Sequence, residues 1–424
     1  MKSKSLTDQI EISRRHLLRR GLLATGIIAL GHGMFNNPLQ TAIAQTIAPG
    51  RRSNIPNLAN TLHEVAVEND PATRMVIPRG FSVREIARTG RPSVPTSDYM
   101  WHRQPDGGAV LPMEDGGWVY VSNCEIDRPG EGSVGALRFN SAGDLVDSYA
   151  ICKDTRNNCA GGPTPWGTWL SCEEIPLGLV YECDPTGKRT AIAQPALGAF
   201  THEAAAIDPV NRHIYLTEDT PDSNLYRFIP DNYPESYTAD QLAGRLEVAV
   251  VEGEDPLQTR GIRWVALPDS NPAKDAVPTR KQVSEAAKFN GGEGCWYHEG
   301  MIYFSTKGDN RVWAIDTGAN TLSLVYDQQR DGIFNPAMND VDNVTVSAGG
   351  DILVAEDGSD MRIIVVGSGL TPFELVNVMG HEGSEVTGPA FSPDGTRLYF
   401  SSQSGIAGDE TDGRTYEMRG PFFI

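Results

Sequence analysis

One short pattern returns six times along this chain and leaves few folds open to it. Each copy is a turn, then a short strand of aromatic and β-branched residues, then a polar or acidic tip. The copies are residues 117–125, 167–173, 213–219, 301–307, 351–357 and 397–403. They start about 45–50 residues apart, save for one gap of about 88, which is the period of four-stranded propeller blades. The body is rich in Gly and Pro and shows few sustained helical patterns. The expectation is therefore all-β, a six-bladed β-propeller with insertions, with five or seven blades as the alternatives. The long gap predicts an insertion at about 230–290 carrying a helix around 281–289. Turn signals agree: Ser392-Pro393-Asp394-Gly395 launches a strand, and residues 140–144 and 184–187 resemble hairpin tips. Phe139, Phe228 and Trp313 read as packing. In such a fold the polar tips would converge around one central opening.

The N-terminus reads as a leader rather than as part of the fold. Arg14, Arg15, Arg19 and Arg20 precede an apolar run over residues 22–30, and Thr41-Ala42-Ile43-Ala44 supplies a cleavage site. Ser13-Arg14-Arg15-His16-Leu17-Leu18 looks like a twin-arginine export motif, and the run is short for a membrane span. Residues 1–44 are thus expected to be a twin-arginine signal peptide and 45–424 one propeller domain, periplasmic or secreted. That route carries folded proteins, often with a cofactor already inserted. The leader holds six of the 36 basic residues and two of the 55 acidic ones, leaving a formal charge of −23 on the remainder. Such a field argues against nucleic acid and against an acidic membrane surface. An anionic substrate would need bound cations to reverse the local potential.

The loop from Asn158 to Glu174 places Cys159 and two adjacent carboxylates, Glu173 and Glu174, within seventeen residues. Its Gly161-Gly162-Pro163-Thr164-Pro165 run excludes a helix, so these groups lie on a loop leading into a strand. Further metal-ligand candidates are Glu203, Glu218, Asp219, Glu293, Asp342, Asn343, Glu356 and Asp357. Glu203 and Glu293 sit among alanines and glycines that permit close approach, and Asp342-Asn343 opens a strand with two oxygen donors. Carboxylate and amide oxygens suit calcium. A thiolate among them suggests a softer, redox-capable ion, iron above all. Carboxylates turned inward without cations would be prohibitively costly. The eight histidines form no ligand-spaced cluster, which argues against a zinc hydrolase. Among the cysteines, at 124, 152, 159, 172, 183 and 295, Cys152 could pair with Cys172 or with Cys183.

Taken together, the run from Asn158 to Trp169, Ser171-Cys172-Glu173-Glu174, Thr201-His202-Glu203-Ala204 and Glu293-Gly294-Cys295-Trp296 resemble signatures of the PhoX family of exported alkaline phosphatases. So do residues 342–346, Glu356-Asp357-Gly358 and Phe391-Ser392-Pro393-Asp394-Gly395. The similarity covers most of residues 100–424 and is weakest over 230–285. The resemblance implies a central site of calcium and ferric iron that hydrolyses phosphate monoesters. It places Cys159 at the iron-ligating position, Glu203 and Glu293 in the metal core, and Glu174, Glu218, Asp342 and Glu356 as calcium or iron ligands. Cys159, Glu203 and Glu293 then become catalytic candidates, with Arg156 the cation offered to phosphate and Arg227, Lys307 and Arg311 its alternatives. The implied partners are a small phosphorylated substrate and the twin-arginine export machinery, with a monomer as the expected form. Other readings are a calcium-dependent phosphodiesterase or lactonase-like hydrolase, and a non-catalytic periplasmic propeller that binds a ligand.

Overall fold

The computed structural model describes residues 56–237, 240–331, 337–358, 360–367 and 371–423, so the expected leader lies outside the described residues. Among these residues strand follows strand, and helix is confined to short turns such as Leu58–Leu62 and Gln328–Asp331. The all-β reading follows from the sequence's Gly/Pro punctuation. The blade count does not. Antiparallel pairing produces five sheets, of six, four, nine, four and four strands, which corrects the expectation of six separate blades.

The cause lies in the stretch read as an insertion. Residues 230–290 contribute two strands, Gly244–Val251 and Arg260–Ala266. The first extends the sheet that begins with His202–Asp208. The second pairs on its far side with Thr321–Asp327, through Arg260↔Leu322 and Gly261↔Thr321. Two runs of strands that the spacing kept apart thereby become one nine-stranded sheet. The helix expected near 281–289 is absent; that region holds only the 3-10 turn Thr279–Lys281 followed by irregular chain. N-terminal strands Val67–Asn69 and Val76–Pro78 widen another sheet to six.

The arrangement of sheets is propeller-like. Strands Pro105–Pro112, Asn158–Pro163, His202–Asp208, Gly292–His298, Val341–Val346 and Val386–Phe391 touch in succession, and the last touches the first. These inner strands form a closed ring. Ser82–Arg88 pairs with Arg414–Arg419 and so ties the N-terminal part of the described chain to its C-terminal sheet. The second strand of a sheet is covered on both faces by its neighbours. Trp118–Cys124, Met301–Thr306, Ile352–Glu356 and Arg397–Ser402 are accordingly buried along their whole length. That is why they read as unbroken apolar runs rather than as alternation. All six cysteines are buried free thiols; Cys152 and Cys183 share one core cluster while Cys172 lies in another.

The inner strands come so close that only small side chains fit between them. A Cβ on Gly162 would stand 1.9 Å from the carbonyl oxygen of Ala205 on the next inner strand. Gly162→Ala is therefore expected to lower the unfolding free energy by about 1–3 kcal/mol. Denaturant unfolding of chelated protein checks this; an unchanged midpoint would contradict so tight an approach.

Candidate metal centre

Every inner strand carries a β-bulge near its start. In five of them the first paired residue is followed by one extra residue before pairing resumes, at Pro105/Gly108, Asn158/Gly161, His202/Ala205, Gly292/Cys295 and Val341/Val344. In Val386–Phe391 a second pair forms and the break falls one residue later, at Thr387/Ala390. A bulge breaks the two-residue alternation and re-aims a side chain. The residues that follow the break are Asp106, Cys159, Glu203, Glu293, Asp342 and Gly388. Five of them carry a ligand atom. Gly388 (φ 59°) cannot, because a Cβ there would meet the Tyr120 hydroxyl at 2.7 Å and the Asp106 carbonyl at 2.9 Å.

A second set of side chains comes from the residue just beyond each second strand: Glu125, Glu174, Asp219, Lys307, Asp357 and Gln403. Glu385 joins them through an isolated bridge to Asp357. Four groups of potential ligand atoms result, each with its atoms within 4.8 Å of one another. They are Asp106/Glu125/Cys159, Cys159/Glu174/Glu203, Glu203/Glu293/Asp342 and Asp342/Asp357/Glu385. Shared members link the four groups into one chain of ligands. Asp219 lies beside it, close enough to Glu174 to raise its carboxyl, with its Oδ1 3.1 Å from a Cβ built on Gly291.

The backbone of this site is fixed by polar side chains of the second strands and of the inner strand Val386–Phe391. Asn123 Nδ2 donates to the carbonyl of Ala160 at 2.7 Å, and Thr217 Oγ1 donates to that of Glu293 at 2.6 Å. Ser305 Oγ donates to the Asp342 carbonyl, and Thr387 Oγ1 to that of Pro105 at 2.7 Å. Gly388 N–H donates to Asn343 Oδ1 at 2.7 Å, while Asn343 Nδ2 donates to Asp342 Oδ1 at 2.7 Å. Asn343 thus orients a ligand.

Several expected ligands lie outside these groups, for a uniform reason. Glu173, Glu218 and Glu356 are the last residues of their strands, so alternation points them away from the residue that follows. Glu173 accepts from the amides of Arg156 at 3.0 Å and Leu179 at 3.2 Å. Glu218 accepts from Tyr226 at 2.8 Å and Asn224 at 3.2 Å, with Arg280 at 3.5 Å. Glu356 is gripped by Arg362, Nε to Oε2 at 2.6 Å and the other arm to Oε1 at 2.9 Å. Arg156 also turns outward, onto Asp127 at 2.6 Å. His202 is buried and donates through Nε2 to the Gly198 carbonyl at 3.0 Å, which leaves Glu203 alone facing the site.

The sequence reading missed Asp106, Glu125 and Glu385. Glu125 was visible as a strand tip, and Pro105-Asp106-Gly107-Gly108 repeats the polar-then-small signature of Cys159-Ala160-Gly161. Glu385 stands one residue before its strand, so no repeat marks it.

The electrostatics demand cations. Burial, reinforced by neighbouring carboxylates, pushes Glu203, Glu293, Asp106 and Glu385 well above the usual carboxylate range. Burial and Glu125 raise Glu174 to about 10. Burial, then Asp106 and Glu203, pushes the Cys159 thiol up; its Sγ lies 3.3 Å from Glu203 Oε1. Glu203 Oε2 and Glu293 Oε1 are buried with no hydrogen-bond partner at all. Buried carboxylate oxygens without donors are rare, and a cation resolves them. A donor set of carboxylates with one thiol therefore fits multivalent ions.

A carboxyl that stays protonated in the fold but ionises in the unfolded chain opposes folding as pH rises. For Glu174 that window runs from the ordinary value of ~4.3 up to about 10. Chelator is thus expected to lower Tm more at about pH 9 than at about pH 6, read by differential scanning calorimetry. Equal shifts at both values would contradict the raised carboxyls.

Comparison with known proteins completes the picture. The family model for alkaline phosphatase PhoX matches residues 129–178 and 176–405. No curated protein matches the sequence. Among solved structures, Pseudomonas fluorescens PhoX in complex with vanadate, a transition state analogue, is similar with a TM-score of 0.65 at 16% identity, over 84% of this chain and 97% of that one. A protein of unknown function from Bacteroides thetaiotaomicron reaches 0.49 at 8% identity, over 80% and 76%. The gluconolactonase XC5397 of Xanthomonas campestris reaches 0.47 at 12%, over 88% and 98%. The likeness to the first is one of fold, and the two lower scores add nothing to it. With the family model spanning most of the chain and buried acidic and thiol groups gathered at its centre, the chain belongs to the PhoX alkaline phosphatase family and is a metal-dependent, phosphatase-type hydrolase.

Proposed function

We propose that this chain is an exported phosphomonoesterase working at a mixed iron–calcium centre. The observation that carries the proposal is the pair of buried, unpartnered oxygens, Glu203 Oε2 and Glu293 Oε1, beside a thiol and Asp342. Cys159 makes its two groups the iron side, since thiolate is a soft donor. Glu203, Glu293 and Asp342 form an all-oxygen group suited to calcium. The bound ions would supply the positive charge that draws phosphoryl oxygens and steadies a leaving oxygen.

The chain's own residues set the stage for that chemistry. Glu203 belongs to both a thiol-containing and an all-carboxylate group, so it would hold two ions at a fixed separation. Lys307 is engaged by Asp342 and Asp357, and Arg156 faces outward, so neither guanidinium nor ammonium is free to bind phosphate first. An anionic ester could enter only where the ions outweigh the carboxylates. The twin-arginine leader supports export of residues 45–424 after folding, which would allow ions to load in the cytoplasm. Calcium and iron, a small phosphorylated substrate and the export machinery are the partners this reading requires.

Exported protein should contain iron and calcium and hydrolyse an aryl phosphate monoester in preference to a bis-aryl phosphate or a lactone. Preference for the diester or lactone, or no turnover by protein that contains the ions, would overturn the substrate assignment. Cys159→Ala is expected to lose iron while keeping a wild-type circular dichroism spectrum; full iron retention contradicts the thiolate role. Glu293→Gln should lower kcat/KM by at least the ~10–100-fold typical of residues that merely orient metal ligands. Unchanged kinetics and metal content would make Glu293 structural.

A further inference from the structure

The two sets of side chains around the site follow one rule with one exception. Just beyond the second strands, the equivalent positions hold Glu125, Glu174, Asp219, Asp357 and the amide Gln403, but Lys307 breaks the series. Among the described residues of both sets it is the sole cation. Its ammonium donates to Asp342 Oδ2 at 3.2 Å and pairs with Asp357 Oδ2. It therefore rests on the fourth acidic group, Asp342/Asp357/Glu385.

We propose that Lys307 is a built-in substitute for a divalent cation, filling the fourth group so that ions load only where Cys159 or Glu203 takes part. This inference rests on the reading that those neighbouring groups hold ions. Three observations carry it. First, the oxygens left without any partner belong to Glu203 and Glu293, whereas Asp342 has both Lys307 and Asn343 as donors. Two of the three carboxylates of the fourth group thus have an ammonium partner, whereas the third group leaves two buried oxygens with none. Second, an ammonium is a compact point charge with three donors, the side chain most like a small ion. A divalent ion placed on the same oxygens would stand within a few ångströms of it, and like charges at that range repel strongly. Third, the backbone at Lys307 is held in place. Its N–H donates to the Gly291 carbonyl at 2.9 Å, and the turn Lys307–Asp309 is closed by Thr306 Oγ1 on Asp309. The ammonium cannot be displaced by simple rotation of a free loop.

Asp342 is shared by the third and fourth groups. By drawing Oδ2 of Asp342 to one side, Lys307 also fixes which direction that carboxylate presents to Glu203 and Glu293. The lysine would thus set both the number of ions and the asymmetry of the array.

Calcium binding to chelator-stripped, refilled protein, counted by isothermal titration calorimetry and elemental analysis, tests this. Lys307→Met should bind one more calcium per chain than wild type, while Lys307→Arg keeps the wild-type count. An equal count in Lys307→Met and wild type overturns the proposal. Asp357→Asn supplies an independent arm should the methionine variant fail to fold. It removes a carboxylate from a group that holds no ion, so its calcium count should match wild type, and loss of one ion overturns the proposal. Wild-type protein that binds no multivalent ion would refute the metal-centre reading instead, a result distinct from either variant's.

Discussion

Acidic side chains can be crowded into a protein interior only if positive charge is crowded there with them. In this chain, six inner strands meet in a ring, and five of them aim an acid or a thiol from the same bulged position. The ligand atoms within each group stand within 4.8 Å of one another, and two fully buried oxygens among them, Glu203 Oε2 and Glu293 Oε1, have no donor. Such a centre is a source of strain when empty and of cohesion when filled, because each ion would bridge strands that belong to different sheets. The small residues beneath it, Gly107, Ala160, Gly161, Ala204 and Gly294, bring those strands close enough for one ion to reach ligands from neighbouring sheets. Charge, bulge and glycine therefore depend on one another.

Much of this was legible in the sequence, and the limits have a physical origin. A strand tip pointed to Asp357, while the Asn158–Glu174 loop, small-residue surroundings and a polar strand start pointed to Cys159, Glu174, Glu203, Glu293 and Asp342, all of which the structure gathers at the centre. What the repeat could not supply was the facing of each residue. In the adjacent acidic pairs Glu173-Glu174, Glu218-Asp219 and Glu356-Asp357, the second member turns inward while the first is bonded to local donors. A one-residue error of alternation therefore decides ligand against scaffold. The bulge is an added break in that alternation, and a single sequence does not announce it. Asp106 escaped notice because its strand starts before the first recognised copy of the repeat, and Glu385 because it lies outside the repeat.

The sheet count failed for a related reason. Spacing locates strands along the chain but says nothing about which edges find each other. Arg260–Ala266 has one free edge after pairing with Gly244–Val251, and Thr321–Asp327 offers another. An unpaired edge is a row of unsatisfied donors and acceptors, so joining the two is favourable. The joint lies among the outer strands of the nine-stranded sheet, whose two end strands, His202–Asp208 and Gly292–His298, belong to the inner ring and keep their bulges.

The central claim is that the bulged strand ends converge on multivalent ions, with the thiol marking one kind of ion and the all-carboxylate group another. Anomalous diffraction from crystals of the exported protein, recorded above and below the iron edge and at long wavelength for calcium, tests it most directly. The account predicts an iron peak bonded to Cys159 Sγ and Glu203, and a calcium peak among Glu203, Glu293 and Asp342. Ions bound instead at Glu218 or Glu356, or no anomalous peak at the ring in protein that turns over phosphate esters, would contradict it.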